Sequence, residues 1–189
     1  DKMAEFRDEV IDMGAMPFIT GGSLLGWYRE CSIIPHTSDV DFAILYTDFK
    51  PAMKEELKTL KSFDLYKRSG QDHKSLEFTL VAKTKGPVDL FVMYAEDDEH
   101  IYTAGADASV RSKYKWILPK IDEFCAGILL GRLFFVPCNA EKLIQAEYGK
   151  NWTVDHPTKD FNWWESNSNV VQDGYYTEEE MKKYFIIYY

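Results

Sequence analysis

The arrangement of apolar and polar residues changes along the chain, from helical spacing at the start to short apolar runs in the middle. Residues 2–14 place apolar side chains among charges at the spacing of one helix face, and Gly14 follows the last of them. Several later segments alternate or run apolar over only a few residues, which is typical of strands. The pattern predicts helices over 2–14, 23–30, 49–61 and 139–148, and strands over 17–20, 40–46, 63–68, 75–82 and 88–94.

The ends of these elements carry recognisable residues. Ser23 and Asp48 are predicted to cap the second and third helices, because a side-chain oxygen at that position accepts a free backbone N–H. Residues 124–137 predict two strands joined by a turn, and Thr177 and Glu180 predict the start of a short helix. Helix–strand alternation early and consecutive strands later predict an α+β fold with a mixed β-sheet flanked by helices.

Length and composition describe an ordinary globular domain. The chain has 189 residues, of which 46% are hydrophobic, so it can bury a packed core. We expect one domain over 1–189, with a core over about 1–105 and a C-terminal α/β extension over about 106–189. The net charge of −9 argues against a nucleic acid as partner, because surfaces that bind phosphate backbones are basic. It does not argue against a nucleotide, because bound cations set the potential inside a cleft.

The cysteines and the chain ends give little information about the function. Cys31, Cys125 and Cys138 fit neither a disulfide framework nor a zinc motif, and buried free thiols are the favoured interpretation. At most one bridge can form, and Cys125–Cys138 across the predicted hairpin is the candidate. No stretch of about eighteen apolar residues lacks a charge, and no signal peptide is visible. Because Asp1 is not an initiator Met, we expect a soluble catalytic portion, which leaves room for a membrane anchor upstream.

Gly21, Gly22 and Ser23 separate a short strand from a helix. Glycines let the backbone approach a phosphate closely, and a helix N-terminus presents free N–H groups and the positive end of a dipole. Taken alone, such a triplet is most often a turn. Because a strand with paired carboxylates follows, we predict a phosphate-binding loop.

Asp39 and Asp41 are two residues apart at the start of a predicted strand, so both point to the same face. Carboxylates at the mouth of a buried strand are costly unless paired, and a divalent cation relieves that cost. Asp89 is the sole charge in the apolar run 87–94. If the two strands are neighbours, Asp89 becomes a third metal ligand or a general base to an attacking hydroxyl. The alternatives are two solvated carboxylates and an Asp bonded to a nearby turn.

Other side chains are candidates for substrate contacts. Arg29 lies about two turns after the glycines, where it either neutralises a pyrophosphate or forms a structural salt bridge. His36 precedes Asp39 by three residues and is either a substrate contact or an exposed loop histidine. The pair Trp163 and Trp164 either anchors the core or stacks on sugar rings, and the core is the favoured interpretation.

These residues together resemble the LicD/fukutin family of the nucleotidyltransferase superfamily. The resemblance covers about residues 16–152 and includes Tyr148-Gly-Lys-Asn-Trp152 after a predicted helix. It implies a nucleotidyltransferase-like fold, with Mg²⁺ or Mn²⁺ held by Asp39, Asp41 and Asp89. Bacterial members often have Trp-Asp-Asp where this chain has His-Thr-Ser over residues 36–38, and that departure resembles the fukutin branch.

The resemblance also implies a function. Members transfer a phospho-alditol or phosphocholine from a CDP-linked donor to a sugar hydroxyl, and the fukutin branch implies ribitol phosphate from CDP-ribitol. The acceptor would be a glycan or glycoprotein, in the Golgi lumen of the secretory pathway. Three alternatives remain: a nucleotidyltransferase that adds NMP to a small molecule, a phosphocholine transferase, and a non-catalytic member that binds a glycan or a partner enzyme.

Overall fold

The computed structural model of the chain describes residues 2–83 and 86–189. Asp1 lies outside this part. The helices are α1 (Lys2–Asp12), α2 (Gly21–Glu30), α3 (Met53–Glu56), α4 (Ala140–Tyr148) and α5 (Glu178–Tyr184), with 3₁₀ turns at Leu57–Thr59 and Thr158–Asp160. The strands are β1 (Phe18–Ile19), β2 (Val40–Leu45), β3 (Phe63–Ser69), β4 (Glu77–Ala82), β5 (Pro87–Ala95), β6 (His100–Asp107), β7 (Ser112–Pro119), β8 (Phe124–Leu129), β9 (Arg132–Pro137), β10 (Val170–Tyr175) and β11 (Phe185–Ile187).

The described strands form one mixed sheet, which confirms the α+β prediction. Its main path is β10-β7-β6-β5-β2-β1-β9-β8, and β4 joins β5 to β3, which also pairs with β11. The pairs β2–β5 and β1–β9 are parallel, and the other pairs are antiparallel. The first part of β5 lies between β2 and β4, whereas its end pairs with β6. The predicted division of the domain into a core over about 1–105 and a C-terminal extension over about 106–189 stays a prediction.

Aromatic side chains fix α1 against the sheet. The ring of Phe6 lies 5.2 Å from the rings of both Phe42 and Phe63, and all three side chains are fully buried. Because side chains alternate along a strand, Asp41 points to the face opposite Phe42. The N-terminus of α2 lies on that second face, where the Ser23 hydroxyl accepts the backbone N–H of Asp41. The core and the carboxylate therefore occupy opposite sides of β2.

The caps predicted for the second and third helices are both wrong. Thr20 is the N-cap of α2, and Ser23 lies inside its first turn. The third helix is much shorter than 49–61, and Ala52 rather than Asp48 precedes it. Pro51 has no backbone N–H and disfavours helical geometry before it, so the chain reaches α3 through turns. Asp48 instead accepts the backbone N–H of Met16.

The expectation of buried free thiols is also wrong. Cys125 and Cys138 form a disulfide, and Cys31 is exposed. Pairing of β8 with β9 brings the Cα atoms of the two cysteines to 5.0 Å, which is within bonding range. The hairpin over 124–137 itself is confirmed, as is the short helix α5 with its capping box at Thr177 and Glu180. No helix in the described part has the length and apolar character needed to cross a membrane.

Candidate functional site

Three carboxylates converge where β2 and β5 begin. Asp41 is the register partner of Asp89 across this parallel pair, and Asp39 immediately precedes β2. One oxygen atom from each of the three lies within 4.8 Å of the other two. The prediction that the strand of Asp89 lies beside the strand of the paired aspartates is confirmed.

Each carboxylate accepts a hydrogen bond that orients it. The hydroxyl of Thr37 donates to Asp39 Oδ1 at 2.9 Å, and the hydroxyl of Thr79 donates to Asp89 Oδ1 at 2.6 Å. The backbone N–H of Ser23 donates to Asp41 Oδ2 at 3.3 Å. These donors come from the preceding loop, a neighbouring strand and α2, so the cluster is held from three directions.

The electrostatics of the cluster suit a cation. Burial raises the pKa of Asp41 well above its ordinary value, and the charges of Asp39 and Asp89 raise it further. Burial and the charge of Glu77 raise the pKa of Asp89 to about 7, against the hydrogen bond from Thr79. Carboxylate oxygens are the ligands that Mg²⁺ and Mn²⁺ prefer. The donor set therefore fits the divalent metal that the sequence predicts, and the metal itself stays a prediction.

The glycines bring the start of α2 against Asp41. Gly21 has a φ of +51°, and a Cβ there would lie 3.0 Å from Asp41 Oδ2. At Gly22 the same distance would be 3.3 Å. A Cβ at either position would crowd the Asp41 carboxylate, and at Gly21 the positive φ adds backbone strain. Gly21 and Gly22 line the cleft described below, so the predicted phosphate contact remains a prediction at these two positions.

Ser23 has a different position from the one expected. Its side chain is buried, and its hydroxyl accepts the backbone N–H of Asp41 at 2.8 Å. Together with the Ser23 N–H, which donates to the same residue, this bond locks α2 to β2. Ser23 is absent from the described residues that line the cleft, and its predicted contact with a donor phosphate remains a prediction.

A row of polar residues continues from the cluster across the sheet. Asp41, Asp89, Thr79 and Lys67 are successive register partners on β2, β5, β4 and β3, so they share one face. Lys67 Nζ lies 3.1 Å from Glu77 Oε1, which also raises the pKa of the lysine against the effect of burial. The sequence analysis missed Thr79, Lys67 and Glu77, because alternating polar residues also describe an ordinary solvent-facing strand.

The cluster opens into a cleft of about 760 Å³. Arg29 and His36 both line it, and both contact Asp155, at 2.9 Å and 3.1 Å. Arg29 also pairs with Glu30 and donates to the carbonyl oxygen of Trp152. The structure thus shows the salt-bridge alternative for Arg29, and the predicted contacts of Arg29 and His36 with a substrate remain predictions.

Glu147 on α4 is a further acidic residue in the cleft lining. Burial raises its pKa to about 7, although hydrogen bonds from Tyr148 and Asn167 lower it. Its charge also raises the pKa of Asp41. In the sequence Glu147 lies on an amphipathic helix, and nothing there distinguishes it from a surface glutamate.

Aromatic residues form another part of the cleft wall. Trp163 and Trp116 both line the cleft, and their rings lie 5.2 Å apart. Trp163 also contacts Tyr114 and Trp164, at 5.5 Å and 4.6 Å. Trp164 does not contribute to the described lining, so the two neighbouring tryptophans differ in their access to the cleft.

Comparison with known proteins adds the family. The model of the family described as LicD/FKTN/FKRP, nucleotidyltransferase domain, matches residues 14–139. Two uncharacterized proteins of Caenorhabditis elegans are each 38% identical to the chain, over 98% and 100% of it. The protein named ribitol-5-phosphate transferase FKTN is 33% identical in Mus musculus, over 94% of the chain, and 31% identical in Homo sapiens, over 99%.

The chain spans only part of these relatives. It covers 50% and 51% of the two C. elegans proteins, 37% of the mouse FKTN and 40% of the human FKTN. The family match nevertheless includes α2, β2 and β5, which carry the glycines and the three carboxylates. The resemblance seen in the sequence is confirmed, and the chain belongs to the LicD/FKTN/FKRP family.

Proposed function

We propose that this domain is a metal-dependent phosphotransferase that moves a phospho-alditol, most specifically ribitol phosphate, from a CDP-linked donor to a sugar hydroxyl of a glycan. The observation that carries the proposal is the convergence of Asp39, Asp41 and Asp89 within 4.8 Å beside the N-terminus of α2. Phosphoryl transfer depends on positioning and on neutralising charge, and these groups supply both.

The donor and the acceptor are the only reactants that the transfer needs. The acceptor hydroxyl oxygen attacks the phosphorus that bears the alditol, and a new P–O bond forms. The bond from this phosphorus to the bridging oxygen of the diphosphate breaks, so CMP leaves with that oxygen and its electron pair. The hydroxyl proton passes to a carboxylate of the cluster, for which Asp89 is the candidate because Thr79 holds its other oxygen in place.

The residues of the cluster divide into ligands and supports. Asp39 and Asp41 would hold the ion, and Asp89 would either complete the metal site or take the hydroxyl proton. Thr37, Ser23 and Thr79 orient the three carboxylates. A bound Mg²⁺ or Mn²⁺ supplies positive charge that offsets repulsion between the carboxylates and the donor diphosphate. Gly21 and Gly22 leave space for the donor phosphates near the start of α2.

Two observations support the choice of ribitol phosphate and of the compartment. The relatives in Mus musculus and Homo sapiens are named ribitol-5-phosphate transferase FKTN, at 33% and 31% identity. The disulfide between Cys125 and Cys138 is typical of an oxidising compartment, which supports the proposal that the protein acts in the secretory pathway, in the Golgi lumen.

The test is to incubate the protein with Mg²⁺, a panel of glycan acceptors, and either CDP-ribitol, CDP-glycerol, CDP-choline or CTP. Mass spectrometry detects the group transferred, with the Asp39→Asn variant as the matched control. We expect ribitol phosphate on the glycan and equimolar CMP. Transfer of phosphocholine or of CMP from CTP would identify the corresponding other enzyme. Donor binding without transfer from any member of the panel would identify a non-catalytic protein.

A further inference from the structure

We propose that the aromatic part of the cleft, formed by Trp116, Trp163, Thr103 and Asn167, binds the sugar ring of the acceptor. This inference deepens the proposed function and rests on it. It assigns a binding site to residues that lie outside the carboxylate cluster. Of these four residues, only Trp163 carried an interpretation in the sequence.

Two buried polar atoms in this part of the wall have no hydrogen-bond partner among the described residues. The side chain of Thr103 is on a residue only 8% exposed, and its hydroxyl is unpartnered. Asn167 is 6% exposed, and its Oδ1 is unpartnered, although its Nδ2 donates to Glu147 at 3.2 Å. Both residues line the cleft. Because a buried polar atom without a partner is costly, these two atoms indicate a ligand that supplies the missing bonds.

The indoles supply the complementary apolar surface. Trp116 is the register partner of Thr103 across the β6–β7 pair, and Trp163 contacts Trp116 from the C-terminal segment. Gly105 makes room for this arrangement, because a Cβ there would lie 3.1 Å from the ring of Trp116. An apolar ring face beside buried hydrogen-bonding atoms matches a sugar, which presents C–H groups on its face and hydroxyls at its edge.

A short chain of contacts joins this part to the carboxylates. The same Cβ at Gly105 would lie 3.9 Å from Glu77 Oε2, and Glu77 is two residues before Thr79, the donor to Asp89. On the other side, Asn167 donates to Glu147, whose charge is felt by Asp41. A ring held by Thr103 and Asn167 would therefore lie in the same cleft as the three carboxylates.

The hydrogen-bonding groups favour a hydroxyl-bearing ligand over a phosphate. Asn167 Oδ1 can only accept a hydrogen bond, so its partner must be a donor such as a hydroxyl. A fully ionised diphosphate has no donor to offer to this oxygen. The cytosine of the donor is the competing ligand, because its amino group also donates, and the experiment separates the two.

The experiment measures sugar and CDP binding separately. Saturation-transfer NMR detects binding of methyl glycosides of glucose, galactose, mannose, N-acetylglucosamine and N-acetylgalactosamine, with and without CDP and Mg²⁺. Calorimetry measures the affinity for CDP in Mg²⁺. The variants are Thr103→Val, which removes the hydroxyl with little change of shape, and Trp163→Leu. Trp164→Leu is the matched control, because Trp164 is adjacent in sequence and outside the described lining.

We expect at least one glycoside to bind, and Thr103→Val and Trp163→Leu each to weaken it about tenfold or more. The Thr103→Val protein should melt at the same temperature or higher, since the lost hydroxyl has no partner. Trp164→Leu should bind sugar and CDP like the unaltered chain. Absence of glycoside binding, or unchanged binding in both cleft variants, would overturn the proposal. If the cleft variants lose affinity for CDP and keep their affinity for sugar, the aromatic part binds the cytosine of the donor.

Failure of this inference is distinguishable from failure of the proposed function. If CDP binds in Mg²⁺ but no sugar binding depends on Thr103 or Trp163, only the acceptor site is wrong. If no CDP binds in Mg²⁺, the proposed transferase function is wrong, and glycoside binding without CDP still tests the sugar site.

Discussion

The carboxylate part and the aromatic part of the cleft differ in how their polar atoms are satisfied. Each of the three carboxylates accepts a hydrogen bond from the protein, whereas two buried polar atoms of the aromatic part have no partner among the described residues. Thr37, Ser23 and Thr79 orient the three carboxylates. Thr103 and Asn167 are buried with an unpartnered oxygen each. The first part is organised before any ligand arrives, and the second is complete only with a ligand present.

The difference follows from how each part is built. The carboxylates come from adjacent parallel strands, β2 and β5, and α2 is bonded directly to β2. The aromatic part joins the β6–β7 hairpin to the C-terminal segment around Trp163, through ring contacts and through the backbone pairing of β7 with β10. Both parts therefore rest on paired strands, and the difference lies in the side chains: each carboxylate has a donor within the protein, whereas the oxygens of Thr103 and Asn167 have no partner among the described residues.

The largest effect is expected at the carboxylates themselves. Asp39→Asn and Asp41→Asn should each abolish transfer while the fold remains, because one ligand charge for the metal is lost. Removal of one of three converging charges should leave the melting temperature unchanged or raise it. Transfer at saturating donor and thermal melts measure the two effects. Near-normal transfer in both variants would contradict the metal assignment.

Metal removal should change donor binding almost as strongly. CDP in Mg²⁺ should stabilise the protein by about 2.7 kcal/mol at a hundredfold excess over its Kd. In EDTA the stabilisation should vanish, because the carboxylates and the diphosphate repel each other without a cation. Melting curves with CDP under both conditions measure this, and cytidine serves as the uncharged control. Equal shifts in Mg²⁺ and EDTA would show that the cluster does not act through a metal.

A matched pair of substitutions compares the two parts directly. Thr79→Val removes the donor to Asp89, so kcat should fall about tenfold or more. Thr103→Val removes an unpartnered hydroxyl, so kcat at saturating acceptor should stay close to normal while the KM for acceptor rises. Steady-state kinetics with varied donor and varied acceptor separate these outcomes. The reverse assignment of the kcat and KM effects would contradict the division of the cleft into two parts.

The smallest effect is expected at Asp155. Asp155→Asn weakens its contacts with Arg29 and His36, but the carboxylate is exposed, and exposed ion pairs contribute little. The affinity for CDP should change by less than about fivefold. Calorimetry in Mg²⁺ measures it, with Glu141→Gln as a surface control. A loss of CDP affinity as large as that caused by EDTA would mean that Arg29 and His36 depend on Asp155 to contact the donor.

Much of the carboxylate part could be predicted from the sequence. Asp39 and Asp41 stand out because they interrupt an apolar strand at a spacing of two, and Asp89 because it is alone in another. The predicted strands, hairpin and α4 also agree with the structure. The caps at Ser23 and Asp48 were wrong because both side chains bond to distant backbone atoms, on Asp41 and Met16, instead of to their own helix.

The sequence by itself determined which residues are apolar, where β2, β5 and the hairpin over 124–137 lie, and that carboxylates stand at the start of two strands. Those features depend on residues close together along the chain. Only the tertiary structure decided that Thr79 and Lys67 align with Asp89. It decided that the candidate bridge Cys125–Cys138 forms, where free thiols were the favoured interpretation, and it placed Thr103 and Asn167 in the lining of one cleft. Strand register and the packing of distant segments depend on the whole core, and no local pattern of residues encodes them.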